Sequence, residues 1–200
     1  MRRDVVVITG STGFIGSALI EKLANRFALV GLDKAPTQEP SANAECVCID
    51  LTSVEAVDAA LRRVRVAYGQ RIAAVIHLAA YFDLTSEPNP LYEKITVRGT
   101  EKLLHALRAF EVEQFVFASS MLAHKAGRPG DVVNEDWPLE PNLPYRESKA
   151  KAERLIHEQR GSIPVVYMRP AGVYDDLCRN AFRQHGKKGQ VDPTVRVVPR

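Results

Sequence analysis

Short apolar runs alternate with longer stretches of helical periodicity through the first 175 residues of the chain. The first run, Val5–Ile8, is β-branched and uninterrupted, which predicts a strand covered on both faces. Apolar residues then recur at helical spacing as Ile15, Leu19 and Leu23, and a second apolar run follows at Ala28–Leu32. The order strand, helix, strand predicts a parallel crossover, because a helix-length segment separates the two strands.

The same alternation continues to about residue 170 and predicts further strands and helices. Ser53 is the expected N-cap of the next helix. Strands separated by helices imply right-handed crossovers and an α/β fold with a doubly wound, mostly parallel sheet. The predicted strands lie within residues 44–50, 73–80, 114–120 and 163–170, and the predicted helices span about 54–68, 92–110 and 145–160.

Three glycines in G-x-x-G-x-x-G spacing join the first strand to the first helix. Gly10 can form a tight turn, Gly13 lets the backbone approach a pyrophosphate without a Cβ in the way, and Gly16 allows the helix to pack close to the strand. The free N–H groups and the positive dipole end of the helix would face the phosphates. With a second strand and Asp33 following in order, the pattern predicts a Rossmann-like dinucleotide site rather than an ordinary strand-to-helix connection.

Asp33 ends the second predicted strand, where a carboxylate can accept hydrogen bonds from the hydroxyls of the adenine ribose. Its negative charge would repel a 2′-phosphate, so NAD is the expected cofactor and NADP the less favoured one. Lys34 follows directly, and this positive charge next to Asp33 is the reason that NADP remains the alternative cofactor.

The chain has 200 residues, which is enough for a sizeable core in one domain or two small ones. Its apolar stretches are all shorter than a membrane span, so no membrane partner is expected. The first strand begins after four residues, which leaves no room for a signal peptide and predicts a cytoplasmic location.

The three cysteines are Cys46, Cys48 and Cys178. Cys46 and Cys48 would share one face of a strand, whereas Cys178 is distant in the sequence. An odd number without a C-x-x-C pair or a matched histidine pair supports neither a disulfide framework nor zinc, and no metal is expected. Buried free thiols are predicted instead.

The basic excess of the chain lies at its end. The formal net charge is +3, but residues 179–200 alone carry +5 and residues 1–178 carry −2. The tail lacks the aromatic interleaving that indicates a nucleic-acid surface, so no nucleic-acid partner is expected. The predicted division is a nucleotide-binding domain at 1–175 and a basic tail at 176–200.

Residues 125–143 interrupt the alternation with prolines, glycines and polar residues. They predict a long surface loop, and a loop of this length in a compact domain is more often functional than idle. It follows the carboxyl end of a predicted strand, where open parallel sheets bind ligands.

The order of several short segments resembles that of the extended short-chain dehydrogenases/reductases of the NAD-dependent epimerase/dehydratase group. The resemblance runs from about Asp4 to Tyr174. The matching segments are T-G-S-T-G-F-I-G at 9–16, Asp33, Asp50-Leu51, H-L-A-A at 77–80, V-R-G-T at 97–100, F-A-S-S at 117–120, E-D-W-P-L-E-P at 135–141, Y-R-E-S-K at 145–149 and R-P-A-G-V-Y at 169–174.

Tyr145 and Lys149 are four residues apart on a predicted helix, so they share one face. Tyrosine is a poor base at its ordinary pKa of about 10, but a neighbouring ammonium and the nicotinamide cation would favour the phenolate. The resemblance implies that Tyr145 is the general acid/base, that Lys149 holds the nicotinamide ribose and tunes Tyr145, and that Ser120 hydrogen-bonds the reacting substrate oxygen. Ser119 is the alternative to Ser120, because neighbours on a strand point to opposite faces.

Further cofactor contacts are implied by the same resemblance. Asp50 and Leu51 would lie near the adenine base and residues 78–80 along the cofactor, with plain core packing as the alternative. His77 is expected to be a satisfied core histidine, and His124 to lie either in the pocket or on the surface. The implied cofactor-binding residues are Gly10, Gly13, Phe14, Ile15, Gly16, Asp33, Asp50, Leu51, Leu78, Ala79, Ala80, Tyr145, Lys149 and Pro170.

Three positions depart from the pattern of the family. Thr96 stands where the family usually has asparagine before V-x-G-T, which puts one cofactor or water contact in doubt. Met121 and Leu122 follow Ser120 where similar sugar-nucleotide dehydratases carry acidic residues that move protons. The resemblance therefore argues against dehydration and leaves oxidation, reduction or epimerisation.

Periodic apolar patterning fades after Tyr174, whereas members of the family continue into a smaller substrate-binding domain. That domain is expected to be largely absent, through truncation of the chain, a reading-frame change near Asp176 or a divergent short form. Family members often pair through the helices at 92–110 and 145–160, which implies a homodimer.

Two functions follow from these features. The first is an NAD-dependent oxidoreductase or epimerase that transfers hydride at a carbinol or carbonyl carbon of a sugar nucleotide or similar small molecule. The second is an NAD-binding sensor or partner protein with weak or no turnover, because without a substrate domain neither substrate orientation nor water exclusion is provided. Ser120, Tyr145 and Lys149 favour the enzyme, since a sensor has no chemical need for all three.

Overall fold

The apolar runs of the sequence form strands, as predicted. A computed structural model describes residues 3–34, 43–83 and 87–174, so the predicted basic tail at 176–200 lies outside the described residues. The strands of the described residues are β1 (Val5–Thr9), β2 (Ala28–Asp33), β3 (Glu45–Cys48), β4 (Arg71–Ile72), β5 (Ala74–His77), β6 (Glu111–Val112), β7 (Phe115–Ala118) and β8 (Val165–Met168).

Six of these strands form one sheet in the order β3-β2-β1-β5-β7-β8, and all of its pairings are parallel. The strand order reverses between β1 and β5, so the loops after these two strands leave on opposite faces and open a crevice between them. In open parallel sheets ligands bind at this point, at the carboxyl ends of the strands. The predicted doubly wound, Rossmann-like sheet is confirmed.

Helices lie on both faces of the sheet. The hydroxyl of Ser53 accepts the N–H of Ala56 at 3.2 Å and caps its helix as predicted. The helix predicted at 92–110 differs, because its first turns are π-helical. None of the described helices combines the length and apolarity that a membrane crossing requires. The helices are α1 (Phe14–Leu23), α2 (Val54–Tyr68), a π-helix (Tyr92–Val97) leading into α3 (Arg98–Leu107), a 3-10 helix (Met121–Ala123) and α4 (Pro144–Gln159).

The sheet separates two apolar layers of unequal size. The larger layer packs α2, α3 and α4 against one face, and the fully buried rings of Phe115 and Phe117 lie in it. On the other face Ile20 of α1 is buried against the strands, whereas Leu19 and Leu23 are only partly buried. The predicted helix face is thus slightly rotated, because the side of α1 that carries Gly16 and Ile20 faces the sheet.

The prediction of buried thiols is wrong for the described cysteines. Cys46 is half-buried and Cys48 is exposed, and both are free. The reason is that β3 is an edge strand of the sheet, so one side of it faces solvent. Cys178 lies outside the described residues. The sequence also did not predict β4 and β6, because two residues are too few to show an alternation.

A buried ion pair ties the last strand to α4. The Nε–H of Arg169 donates to one carboxylate oxygen of Glu153 at 3.0 Å, and its Nη2 donates to the other at 2.7 Å. Its Nη1 donates to the backbone oxygen of Glu135 at 2.9 Å. The pair thus connects the end of β8, α4 and the 125–143 loop. The side chain of Glu153 is only 5% exposed, so its carboxylate lies in water-poor surroundings.

We expect Arg169→Met to lower the free energy of unfolding by about 3–5 kcal/mol, because it leaves the carboxylate of Glu153 buried without its partner. Arg63→Met is the matched control, since Arg63 pairs with Glu45 at the surface and its loss should change stability by less than about 1 kcal/mol. Urea denaturation measures both. Similar losses in the two variants would contradict a stabilising role for the buried pair.

Candidate active site

The turn after β1 is packed too tightly for side chains at two of its glycines. Gly10 has a φ of +69°, and its N–H donates to the carbonyl of Leu32 at 2.9 Å. A Cβ on Gly10 would lie 2.9 Å from the backbone nitrogen of Ala79, and a Cβ on Gly16 would overlap the carbonyl oxygen of Gly10. The turns after β1 and β5 therefore meet at the point where the strand order reverses.

Gly13 is less crowded than Gly10 and Gly16. Apart from its neighbours in the chain, a Cβ built on Gly13 would meet one heavy atom of the described residues within 4 Å, the carbonyl oxygen of Gly10, in a tight contact of 3.3 Å. The open space lies at the start of α1, where free N–H groups and the helix dipole favour an anion. Phe14 and Ile15 follow in the first turn of α1 and are half-buried.

Asp33 lies beside this turn. The N–H and the hydroxyl of Thr12 both donate to its Oδ2, at 2.9 and 2.8 Å, and the N–H of Lys34 donates to its Oδ1 at 2.7 Å. These bonds fix the carboxylate at the carboxyl end of β2, next to the glycine turn. The side chain of Lys34 is exposed at the same edge of the sheet.

The residues predicted near the adenine base have different surroundings. Asp50 accepts the N–H and the hydroxyl of Thr52 at 2.9 and 2.7 Å, and these hydrogen bonds lower the pKa of its carboxyl group. Leu51 is buried against Gly99, which agrees with core packing, the alternative stated for it. Residues 78–80 are half-buried beside the glycine turn.

The structure brings Ser120, Tyr145 and Lys149 together at the carboxyl end of β7. The Oγ of Ser120 accepts the N–H of Leu122 at 3.1 Å, and the Ser120 hydroxyl lowers the pKa of the neighbouring Tyr145 phenol. Lys149, one turn after Tyr145 on α4, donates from Nζ to the carbonyl of Ala118 at 2.7 Å. The cluster therefore lies at the same edge of the sheet as the glycine turn.

Lys149 is a buried amine. Its Nζ lies 5.1 Å from the centroid of the Phe117 ring and 5.8 Å from that of Tyr145. Burial lowers the pKa of Lys149 to about 8, although the carboxylate of Glu153 opposes the shift. An ammonium has three N–H donors, so the bond to Ala118 leaves two that could serve a ligand.

In the protein by itself, Tyr145 favours the neutral phenol, and the expectation of a phenolate beside the nicotinamide cation stays a prediction. Burial raises the pKa of Tyr145 to about 12, the hydrogen bond with Ser120 opposes this, and Tyr92 adds to it. Burial dominates because the apolar surroundings disfavour the charged form more than the hydrogen bond favours it. At neutral pH the phenol is protonated.

Two aromatic neighbours of Tyr145 were missing from the predicted site. The ring of Phe82 meets that of Tyr145 edge to face at 5.0 Å, and the ring of Tyr92 lies 6.5 Å away. No local sequence signal marks these residues, because they reach Tyr145 from the loop after β5 and from the π-helix. Only the tertiary fold brings these segments to α4.

Ser119 and Ser120, the two candidate serines, differ in their surroundings. The hydroxyl of Ser119 is buried and has no hydrogen-bond partner among the described residues, whereas the hydroxyl of Ser120 acts on the pKa of Tyr145. Met121 and Leu122 expose 41% and 46% of their surface. The carbonyl of Pro170 accepts the N–H of Met121 at 3.1 Å, which places Pro170 beside the cluster.

His124 is buried and fixes the long loop, so it lies neither on the surface nor free in a pocket. Its Nδ1–H donates to the carbonyl of Trp137 at 2.8 Å, and the Nε1–H of Trp137 donates to the carbonyl of Lys125 at 3.0 Å. The Nζ of Lys125 pairs with Glu140 at 2.7 Å. These contacts join the beginning of the 125–143 loop to its last third.

Known proteins resemble this chain in sequence and in fold. The sequence pattern of the NAD dependent epimerase/dehydratase family matches residues 6–189. The chain is 30% identical over 185 residues to the 3 beta-hydroxysteroid dehydrogenase/Delta 5-->4-isomerase of Mycobacterium tuberculosis, which covers 90% of this chain and 50% of the relative. It is 28% identical over 178 residues to the UDP-glucose 4-epimerase of Mycolicibacterium smegmatis, with 84% and 56% covered.

Solved structures agree. The UDP-glucose 4-epimerase of Thermus thermophilus in complex with NAD has a TM-score of 0.71 at 30% identity, covering 82% of this chain and 54% of that one. A short-chain dehydrogenase/reductase superfamily protein from Agrobacterium tumefaciens with bound NAD has a TM-score of 0.67 at 31% identity, covering 82% and 48%. The chain spans about half the length of the curated relatives it matches.

Lys149 should give the stability a pH dependence of defined sign. Its pKa is about 8 in the folded protein against a usual 10.5, so between these values the unfolded chain binds more protons and the free energy of unfolding rises with pH. Relative to Lys149→Met, the wild type should gain up to about 3 kcal/mol over this range.

Denaturant titrations from pH 7 to 11 measure this gain. Lys151→Met is the control, because Lys151 is an exposed lysine of the same helix and its variant should follow the wild type. A constant difference between the wild type and Lys149→Met would contradict a buried amine at this position.

Proposed function

The chain belongs to the NAD-dependent epimerase/dehydratase family, and we propose that it is an oxidoreductase or epimerase acting at a carbinol or carbonyl carbon of a sugar nucleotide or similar small molecule. The cofactor of this family is NAD, and the family consists of enzymes. The observation that carries the proposal is the cluster of Ser120, Tyr145 and Lys149 on the same sheet edge as the glycine turn.

The described residues fit NAD. The space at Gly13 admits a pyrophosphate at the start of α1, where a side chain would fill it. Thr12 holds the carboxylate of Asp33 where it can accept hydrogen bonds from ribose hydroxyls and repel a 2′-phosphate. Lys149 has N–H donors for the second ribose. When bound, NAD supplies the donor or acceptor of hydride.

Tyr145 would move the proton of the substrate oxygen. Because its phenol is neutral in the protein by itself, it can give a proton to a carbonyl oxygen as that oxygen gains charge. The reverse reaction needs the phenolate, which positive charge in the site favours. Ser120 would hold the same substrate oxygen by a hydrogen bond, and Lys149 would supply part of the positive charge.

The residues after Ser120 limit the reaction type. Met121 and Leu122 have no group that can remove a proton from a neighbouring carbon, so dehydration lacks its base at these positions. Oxidation or reduction at one carbon needs only the tyrosine and the cofactor. Epimerisation needs the tyrosine, the cofactor and a substrate that can turn over between the removal of hydride and its return.

A second candidate is an NAD-binding protein with weak or no turnover. It is favoured by the contacts of the predicted cofactor residues, because Thr12 holds Asp33 beside the glycine turn without any contact to Ser120, Tyr145 or Lys149. NAD binding is common to both candidates. Turnover separates them.

A homodimer through the π-helix with α3 and through α4 is part of the proposal. The first turns of the π-helix and α4 border an open surface cavity of about 460 Å³. Its lining includes Tyr92, Glu93, Glu147 and Lys151, so both signs of charge are available to a second copy. Sedimentation of the purified chain measures the oligomeric state.

We expect Gly13→Ala to weaken NAD binding at least about tenfold, because its methyl group occupies the space for the pyrophosphate. Its free energy of unfolding should fall by no more than about 1 kcal/mol, since the methyl group would press on a single backbone oxygen, that of Gly10 at 3.3 Å. Calorimetry with NAD and NADP measures binding, and NAD should bind more tightly. Gly172→Ala is the control, because no heavy atom of the described residues lies within 4 Å of its Cβ.

Two results would count against the cofactor assignment. A folded wild type that binds no NAD would refute it. Equal affinities of the wild type and Gly13→Ala would place the pyrophosphate elsewhere.

We expect Tyr145→Phe to lower kcat by about 10²–10⁴-fold, because it removes the acid/base proton. Its affinity for NAD should change less than about threefold, since the ring stays in place. Tyr68→Phe is the control, because that hydroxyl bonds Glu45 on the edge strand β3. NADH absorbance with UDP-glucose and a panel of secondary alcohols measures turnover. Equal activity of both variants would contradict the role of Tyr145, and NAD binding without any turnover by the wild type would favour the second candidate.

A further inference from the structure

A group of buried, hydrogen-bonded polar side chains lies in the core near the candidate active site. Thr9 at the end of β1, His77 at the end of β5, Thr96 in the π-helix and Thr100 in α3 are each fully buried. The Oγ of Thr9 lies 2.6 Å from Nδ1 of His77, and the Oγ of Thr100 lies 2.9 Å from its Nε2. The imidazole therefore links two strands of the sheet to the helix that packs on them.

The donor and the acceptor of each hydrogen bond around His77 can be assigned. The hydroxyl of Thr100 donates to the carbonyl of Thr96 at 2.6 Å, so its oxygen must accept the Nε2–H of His77. Nδ1 of the neutral ring is then an acceptor and receives the hydroxyl of Thr9. Burial lowers the pKa of His77 to about 3, which keeps the ring neutral and this order intact.

Two hydroxyls of this group bind the backbone of the loop after β5. The Oγ of Thr9, which is bonded to His77, accepts the N–H of Ala79 at 3.2 Å. Thr96, whose backbone carbonyl is bonded to Thr100, accepts the N–H of Tyr81 on its own Oγ at 3.1 Å. Ala79 is the residue against which Gly10 packs. The loop thus leaves the glycine turn with two of its N–H groups held by buried hydroxyls.

The same loop reaches the predicted acid/base. The ring of Tyr81 packs edge to face on Tyr92 at 4.8 Å, and the next residue, Phe82, packs on Tyr145 at 5.0 Å. At the other end, the rings of Phe115 and Phe117 each lie 5.8 Å from the imidazole of His77 and enclose it in the core. The loop therefore runs from a fixed imidazole to the tyrosine of the cluster.

We propose that His77 and Thr100 are positioning residues that fix the loop at 78–82 between the glycine turn and Tyr145. They touch neither cofactor nor substrate; they act through Thr9 and Thr96. The inference rests on the proposed function, because the loop matters only if NAD lies along it. It also accounts for Thr96 at the position where the family usually has asparagine, since its hydroxyl holds the loop backbone.

The test compares Thr100→Val with Thr100→Ser in the full chain. Valine keeps the shape but removes the hydroxyl, so the Nε2–H of His77 and the carbonyl of Thr96 lose their partner. Serine keeps the hydroxyl and serves as the conservative rescue. Val64→Ala, a cavity variant in the buried face of α2, controls for loss of stability alone.

Two readouts are needed. Nitrogen NMR of the protein without NAD should show a neutral His77 ring protonated at Nε2 in the wild type and in Thr100→Ser, and an altered Nε2 signal in Thr100→Val. Calorimetry should show that Thr100→Val binds NAD about fivefold more weakly or worse, with Thr100→Ser and Val64→Ala within about twofold of the wild type.

The outcomes separate this inference from the proposed function. Wild-type affinity in Thr100→Val, or an equal loss in Val64→Ala, would overturn the positioning role while NAD binding by the wild type stands. A His77 ring protonated at Nδ1 would overturn the assigned bond directions and the role with them. Failure of the folded wild type to bind NAD would overturn the proposed function and this inference together.

Discussion

The contact between the turns after β1 and β5 is the constraint on which the site depends. Gly10 takes a positive φ and lies so close to Ala79 that a side chain would collide with its backbone. This contact lies where the strand order reverses, so it sets the floor of the crevice between the two halves of the sheet. Asp33 then falls on one side of the floor, and the loop that leads to Tyr145 falls on the other.

Burial shifts the pKa values of Lys149 and Tyr145 in opposite directions, and in both residues it favours the neutral form. It lowers the pKa of Lys149 to about 8 and raises that of Tyr145 to about 12, so both groups resist charge. An anionic partner near Lys149 would stabilise its ammonium, and that charge would in turn favour the phenolate. The charge state of Lys149 would thus alter the chemistry of the tyrosine, which the protein alone keeps protonated.

The sequence was informative where a pattern is local. The run at Val5–Ile8, the glycine spacing and Ser53 as an N-cap each depend on neighbours in the chain, and the strand, the turn into α1 and the cap all form as predicted. The exposure of Cys48 depends on which strand forms the edge, and the contact of Phe82 with Tyr145 depends on how two distant segments meet. The balance of burial against a neighbouring charge at a tyrosine is a property of the packed site, so spacing could not supply its sign.

The residues proposed for cofactor binding and those proposed for turnover lie in different parts of the sheet edge. The glycine turn and Asp33 lie within β1, α1 and β2 and are held by contacts inside that unit, apart from the contact with Ala79. The Ser120 cluster is held instead by α4, β7 and the ion pair of Arg169 with Glu153. The loop at 78–82 contacts both parts, through Ala79 at Gly10 and Phe82 at Tyr145, so we expect a change in this loop to affect both of them.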